Sequence, residues 1–179
     1  KNMKLHLGCG KKYIEGFQHV DLLDYPHIDY KVSVDNLLFA KDNSVKLIYA
    51  SHVLEHFGRN EYENVLNEWY RVLKKDGILR IAVPDFKSIV NYYNKTADID
   101  SLLGLVVGGQ KFGEYDYHKM IFDEGFLKNK LQDIGFRLVA RYEWRDVSHS
   151  NVDDFSQAYL PHMEKESGML MSLNIEAVK

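Results

Sequence analysis

Leu5-His6-Leu7-Gly8-Cys9-Gly10, followed downstream by Val20-Asp21, is the stretch whose reading decides the architecture. Met3, Leu5 and Leu7 alternate as strand residues do, and the strand runs straight into a Gly-x-Gly turn. Glycine tolerates positive φ and lets a ligand approach the backbone closely. A second apolar segment, Phe17 to Val20, ends on Asp21. An acid at the tip of a second strand can accept both hydroxyls of a ribose. Gly8, Gly10 and Asp21 therefore point to a nucleoside-bearing cofactor.

Working outward, strands alternate with helices. Asp29 to Val34, Val45 to Ala50 and Ile78 to Val83 read as further strands, the last stopped by Pro84, which cannot continue a central ladder. Between the last two lies the strongest helix, capped by Asn60, with Glu61 and Glu63 in its first turn. Tyr62, Val65, Leu66, Trp69, Val72 and Leu73 repeat at helical spacing, and Gly77 suits the C-terminal cap. A helix from Asp85 is expected to bury Ile89, Val90 and Tyr93. One from Asp123 is expected to bury Phe126, Leu127, Leu131 and Ile134, stopping at Gly135. Phe136 to Tyr142 and Ser172 to Val178 are the final strands. The expectation is a single α/β domain over residues 1–179, its sheet covered on both faces. Ligands of such sheets bind outside the carboxyl ends of the strands.

The 179 residues suffice for one sizeable core, and the charge of −3 gives no field that would draw nucleic acid or acidic membranes. No membrane-length apolar run occurs. Cys9 is the sole cysteine, which excludes an internal disulfide and fits a reducing cytoplasm. The eight histidines show no metal-ligand spacing, so no metal is expected.

The same rules disfavour a dinucleotide cofactor. No third glycine follows Gly8-Cys9-Gly10, Asp21 comes too early, and six residues between Gly10 and Phe17 are too few for a crossover helix. A pyrophosphate would lack the helix N-terminus that receives it. Together with this turn, the segments Ser51-His52-Val53-Leu54-Glu55-His56-Phe57 and Glu68-Trp69-Tyr70-Arg71-Val72-Leu73-Lys74-Lys75-Asp76-Gly77, running on to Pro84-Asp85, resemble the class I S-adenosylmethionine-dependent methyltransferases. The likeness is to small type 11-like members often associated with polysaccharide biosynthesis, and it covers nearly the whole chain. It implies a Rossmann-like, mostly parallel sheet with an antiparallel last strand. It also implies S-adenosyl-L-methionine as cofactor and S-adenosyl-L-homocysteine as product. His6 stands where the family usually carries an acid, and the first helix is reduced to a turn.

The resemblance implies that Gly8, Cys9, Gly10, Asp21 and Leu22 line the methionine and ribose side. It implies that Asp35, Asn36 and Leu37 hold the adenine, and that Ser51 and His52 face the sulfonium edge. Glu55 is read as bonding backbone in its own turn, and His56 as structural. Asp85 follows the fifth strand and is both a substrate contact and a helix cap. Tyr115, Asp116, Tyr117 and His118 bring hydroxyls, a carboxylate and an imidazole into one loop; His118 is the first candidate for a general base, with Tyr115 and Tyr117 walling a substrate. Residues 86–120 and 144–168 are the variable substrate and lid regions. Aromatics near Trp144 suit a homodimer contact. The acceptor is expected to be a small molecule or a saccharide. Two rivals stand: a non-catalytic module on the same fold, and a nicotinamide-dependent oxidoreductase using the Tyr115-x-x-x-Lys119 spacing.

Overall fold

The computed structural model describes residues 2–179. In chain order the elements are β1 (Met3–Leu7), β2 (Gln18–Asp21), β3 (Tyr30–Lys31), β4 (Val45–Ser51), α1 (Tyr62–Val72), β5 (Leu73–Pro84), α2 (Phe86–Thr96), α3 (Leu103–Val107), α4 (Glu124–Ile134), β6 (Arg137–Arg141), β7 (Tyr159–Leu160), β8 (Met169–Leu170) and β9 (Ser172–Val178). Seven strands form one sheet in the order β3-β2-β1-β4-β5-β9-β6. β9 runs antiparallel to both its neighbours, and the remaining pairings are parallel. This is the α/β sheet with an antiparallel last strand that the sequence leads one to expect. β7 and β8 form a separate hairpin.

Alternation along the central strands builds two layers. Leu5, Leu7, Ile48, Ala50, Leu79 and Ile81 face the main core, where Trp69 of α1 and Leu127 and Leu131 of α4 pack on them. Trp69 is fully buried and its indole N–H donates to the Val34 carbonyl at 2.8 Å, tying α1 to the loop after β3. Full burial of such a side chain is worth roughly 3 kcal/mol or more. Glu68 and Arg71 extend the tie: Glu68 accepts from the Leu37 N–H at 2.8 Å, and Arg71 donates to the Glu68 and Asp42 carboxylates.

The opposite face shows the reduced first helix that the short Gly10–Phe17 connection predicts. No helix covers it between β1 and β4; the loop from Gly8 to Phe17 makes the β1-to-β2 crossover unaided and tucks Ile14 and Phe17 against Leu47 and Tyr49. The segment following Trp144 closes the rest. Tyr49 donates to Asp154 at 2.6 Å, Asn174 donates to the Ser156 carbonyl at 2.9 Å, and Val152 packs on the aromatic cluster. Part of the 144–168 connection is thus a cover for the sheet. Trp144 itself is buried, with Arg145 and Lys165 over its ring, so Phe155 is the exposed aromatic of this segment.

Local details correct the sequence reading. Glu61, not Asn60, precedes α1, and its carboxylate accepts from the Gly58 N–H at 2.7 Å. α1 ends at Val72 because Leu73 is already extended and pairs with Val45, so Gly77 lies within β5 rather than capping a helix. In α2 the buried pair is Ile89 and Tyr92; Val90 and Tyr93 face outward, because only the side against Leu102 and Met171 is covered. In α4 Leu127 and Leu131 are buried, whereas Phe126 is partly exposed. Asp85 and Asp123 cap their helices as expected, accepting from Lys87 and Phe126 N–H groups.

Histidines stack beneath the bare face. His6 lies 5.3 Å from Tyr49 and 5.5 Å from His19, ring centre to ring centre, and His149 lies 4.1 Å from Tyr49. Burial, reinforced by the neighbouring histidines, pushes His6 down to about 3; burial and then Arg80 push His149 down to about 4. Both are neutral in the folded protein and would take up protons once unfolded. Stability is therefore full above the ordinary histidine range and is lost as pH falls below it, at about 1.4 kcal/mol per pH unit for each such group. The melting temperature should fall steadily from about pH 7 to about pH 4.5, and less steeply in His6→Gln. A melting temperature independent of pH over that window would contradict the assignment.

Candidate functional site

The site begins where β1 stops. Gly8 takes φ +59° and donates its N–H to the Val20 carbonyl at 2.8 Å; a Cβ there would meet Val53 Cγ2 at 2.4 Å. Gly8 is thus a packing glycine, pressed under the turn after β4. Gly10 takes φ +52° and a Cβ there would meet nothing within 4 Å. Gly10 faces the open space in which a ligand could approach the backbone.

Asp21 binds this turn to the tip of β2. One carboxylate oxygen accepts from the Gly10 N–H at 2.8 Å and the other from the Leu23 N–H at 2.8 Å. A carboxylate oxygen can accept twice, so each keeps a free acceptor position. Each oxygen can thus accept one further hydrogen bond from a hydroxyl. Leu22 and Leu23 are exposed beside it. Cys9 is buried, and burial with the Asp21 charge raises its thiol to about 12, so it is no nucleophile. His6 faces the aromatic cluster under the sheet and not the turn.

Of the adenine candidates, Asp35 and Asn36 are exposed in a turn closed by Asn36 N–H to the Ser33 carbonyl at 3.1 Å. Leu37 is placed differently: it is fully buried, its N–H goes to Glu68, and it supports the turn from the core. Leu38, which the sequence reading missed, is 83% exposed next to them.

At the end of β4, the Ser51 hydroxyl is buried without a hydrogen-bond partner. His52 takes φ +54°, a strained conformation for a residue with a Cβ and one that gathers at functional sites. Its N–H donates to the Ala82 carbonyl at 2.8 Å, and its Nε2 lies 3.0 Å from Ser172 Oγ. The next turn carries Glu55, which is fully buried. Its backbone carbonyl accepts from Lys119 and Met120, but neither carboxylate oxygen has a hydrogen-bond partner. The Glu55 carboxylate therefore does not bond backbone in its own turn; it faces inward, toward His52, His56 and His118. His52 Nδ1 is 3.3 Å and His118 Nε2 3.8 Å from Glu55 Oε1. Burial would raise the Glu55 carboxyl, but the three histidines outweigh it and hold it below the usual carboxylate range. Burial lowers His118.

The loop 108–118 brings His118 to this group but leaves its neighbours outside. Asp116 accepts from the Lys111 N–H at 2.9 Å and is engaged with its own loop rather than with His118. Tyr115 and Tyr117 are exposed. Asp85 is buried with both oxygens committed, one to the Lys87 N–H and the other to Arg141 at 3.1 Å. A groove of about 660 Å³ opens between Tyr62, Phe86, Phe122 and Phe126 and touches none of the cofactor candidates.

Residues 18–81 match the model of the methyltransferase domain family. A S-adenosylmethionine-dependent methyltransferase from Archaeoglobus fulgidus superposes with a TM-score of 0.59 at 18% identity, over 99% of this chain and 86% of that one. One from Mesorhizobium loti gives 0.57 at 17% identity, over 99% and 90%. The 1,6-didemethyltoxoflavin-N1-methyltransferase of Burkholderia thailandensis, solved with its substrate and S-adenosylhomocysteine, gives 0.57 at 14%, over 99% and 70%. No curated protein matches the chain in sequence. The structural likenesses carry the fold, a Rossmann-like sheet shared with S-adenosylmethionine-dependent methyltransferases, and the match to the methyltransferase domain family covers residues 18–81.

Asp21→Ala removes both carboxylate oxygens and the clamp on Gly10. Calorimetry should show S-adenosylhomocysteine binding weakened at least tenfold, about 1.4 kcal/mol or more, with the fold intact. Unchanged affinity would contradict the ribose assignment.

Proposed function

We propose that this chain transfers the methyl group to a hydroxyl of a small, saccharide-like acceptor. The observation that carries this reading is the meeting, along one edge of the sheet, of the open Gly10 turn, the Asp21 carboxylate and the polar end of β4. S-Adenosylmethionine supplies a sulfonium-bound methyl open to in-line attack. The chain must bind it, orient the acceptor and exclude water.

Asp21 takes the ribose hydroxyls, the Gly8-Cys9-Gly10 backbone the neighbouring side, and Leu22, Asp35 and Asn36 the adenine end. Leu37 supports that end from the core. Ser51 and His52 border the reacting edge. His118 activates the acceptor: its Nδ1 lies 2.8 Å from the Leu105 carbonyl, which can only accept, so Nδ1 carries the proton and Nε2 keeps a lone pair. Tyr115, Tyr117 and Phe112, all exposed in the same loop, offer ring faces of the kind that pack on a sugar. Asp85 serves this side indirectly by fixing the start of α2. The net charge of −3 supports a small acceptor rather than a nucleic acid, and no helix among the described residues is long and apolar enough to cross a membrane. The free cysteine fits a cytoplasmic setting. An oxidoreductase reading has no such support, since Tyr115 and Lys119 share no helix.

Incubation with methyl-labelled cofactor and a panel of monosaccharides and nucleotide sugars should label a hydroxylated acceptor. His118→Ala should lower turnover by roughly 100-fold or more while S-adenosylhomocysteine affinity stays within about twofold. Full turnover in that variant would remove His118 from the chemistry, and labelling of amines alone would overturn the hydroxyl acceptor.

A further inference from the structure

We propose that Glu55, His56 and His118 form a binding site for a divalent transition-metal cation. One ligand atom from each lies within 4.8 Å of the others. Glu55 is fully buried with both carboxylate oxygens unpartnered. A buried carboxylate without hydrogen bonds costs several kcal/mol unless a cation compensates it.

The histidine tautomers sharpen the point. His56 Nδ1 lies 3.1 Å from the Tyr117 carbonyl and His118 Nδ1 lies 2.8 Å from the Leu105 carbonyl. Carbonyl oxygens only accept, so both Nδ1 atoms carry protons and both Nε2 atoms are left as lone pairs. A backbone carbonyl fixing one ring nitrogen so that the other can ligate is the usual support of a metal-bound histidine. The His118 Nε2 lone pair faces the Glu55 carboxylate at 3.8 Å, and a ligand atom of His56 lies within 4.8 Å of both. Two imidazoles and a carboxylate suit zinc and its neighbours in the first transition row. Tetrahedral zinc with ligands at about 2.0–2.1 Å sets its ligand atoms about 3.4 Å apart, and Glu55 Oε1 to His118 Nε2 is already 3.8 Å.

His52 is a positioning residue here. Asn174 donates to the Ser156 carbonyl, which turns its Oδ1 toward the Ser172 hydroxyl. The hydroxyl proton goes to that oxygen, so Ser172 Oγ accepts from His52 Nε2–H. His52 is thereby held 3.3 Å from Glu55 without aligning on it. The site lies one turn beyond β4. A cation on His118 Nε2 would occupy the lone pair assigned above to the acceptor proton, so the two uses of that atom exclude each other and the cation site stands apart from the base role. Cation binding itself is read without cofactor or acceptor.

The test is calorimetric titration of the chelator-stripped full chain with Zn²⁺, followed by thermal melting. One equivalent should bind with micromolar or tighter affinity and raise the melting temperature. Glu55→Gln, which keeps shape and loses charge, should weaken binding by roughly 100-fold or more, and His118→Gln similarly. If Glu55→Gln does not fold, His118→Gln with His56→Asn decides. No saturable binding by the folded wild-type chain would overturn the site, as would one-equivalent binding unchanged in the variants, which would assign the metal to surface histidines. Retained S-adenosylhomocysteine binding in a metal-free chain would leave the transferase reading standing while the metal site fails.

Discussion

The Asp21 carboxylate is the constraint on which the site depends. β1 and β2 are parallel neighbours, and such pairs are ordinarily joined by a helix that packs on the sheet and fixes the intervening turn. Here the connection is a loop, and the turn is held instead by Asp21 on Gly10 and Leu23, and by Gly8 on Val20. A second layer supports the loop: the Ile14 N–H donates to His19 Nε2 at 3.0 Å, and Asp29 accepts from the His19 N–H at 2.7 Å. The residue that would hold the ribose is therefore also the residue that shapes the turn. In the proposed reading, cofactor affinity and local order would be coupled through this one side chain.

The same missing helix explains the opposite face. A sheet exposed on that side would leave Leu47, Tyr49, Phe17 and Ile78 in water. The chain covers them with aromatic and imidazole rings and with the segment around Asp154. Imidazole serves there because it is flat and, when neutral, tolerates burial. Tyr49 hydrogen bonds to Asp154 across more than a hundred residues of sequence, so the long connection after β6 is anchored to the centre of the sheet.

Much of this was legible in the sequence. The alternation into Gly8, the apolar runs of β4 and β5, the Asp85 and Asp123 caps and the full extent of β9 follow from local pattern, because each is decided by neighbours in sequence. Gly10 and Asp21 were readable as a pair because the turn after one strand and the tip of its parallel neighbour lie at the same end of the sheet. Other features follow from long-range packing. Leu37 looks like a ligand contact in a polar loop, and only Glu68 and Arg71, about a helix away, show that it faces inward. Glu55 looks like a turn residue, and the loop carrying His118, with Lys119 and Met120 bonded to its carbonyl, gives its side chain a different setting. Val90 and Phe126 satisfy helical periodicity, yet the partner surface was narrower than the stripe.

In the proposed reading, the Gly10 turn and Asp21 form a cofactor site without the usual first helix. Its most direct test is a calorimetric titration of the folded wild-type chain with S-adenosylhomocysteine, with NADH as control. The account predicts saturable one-to-one binding at micromolar affinity and no response to NADH. A folded chain that binds neither, or binds NADH alone, would contradict it.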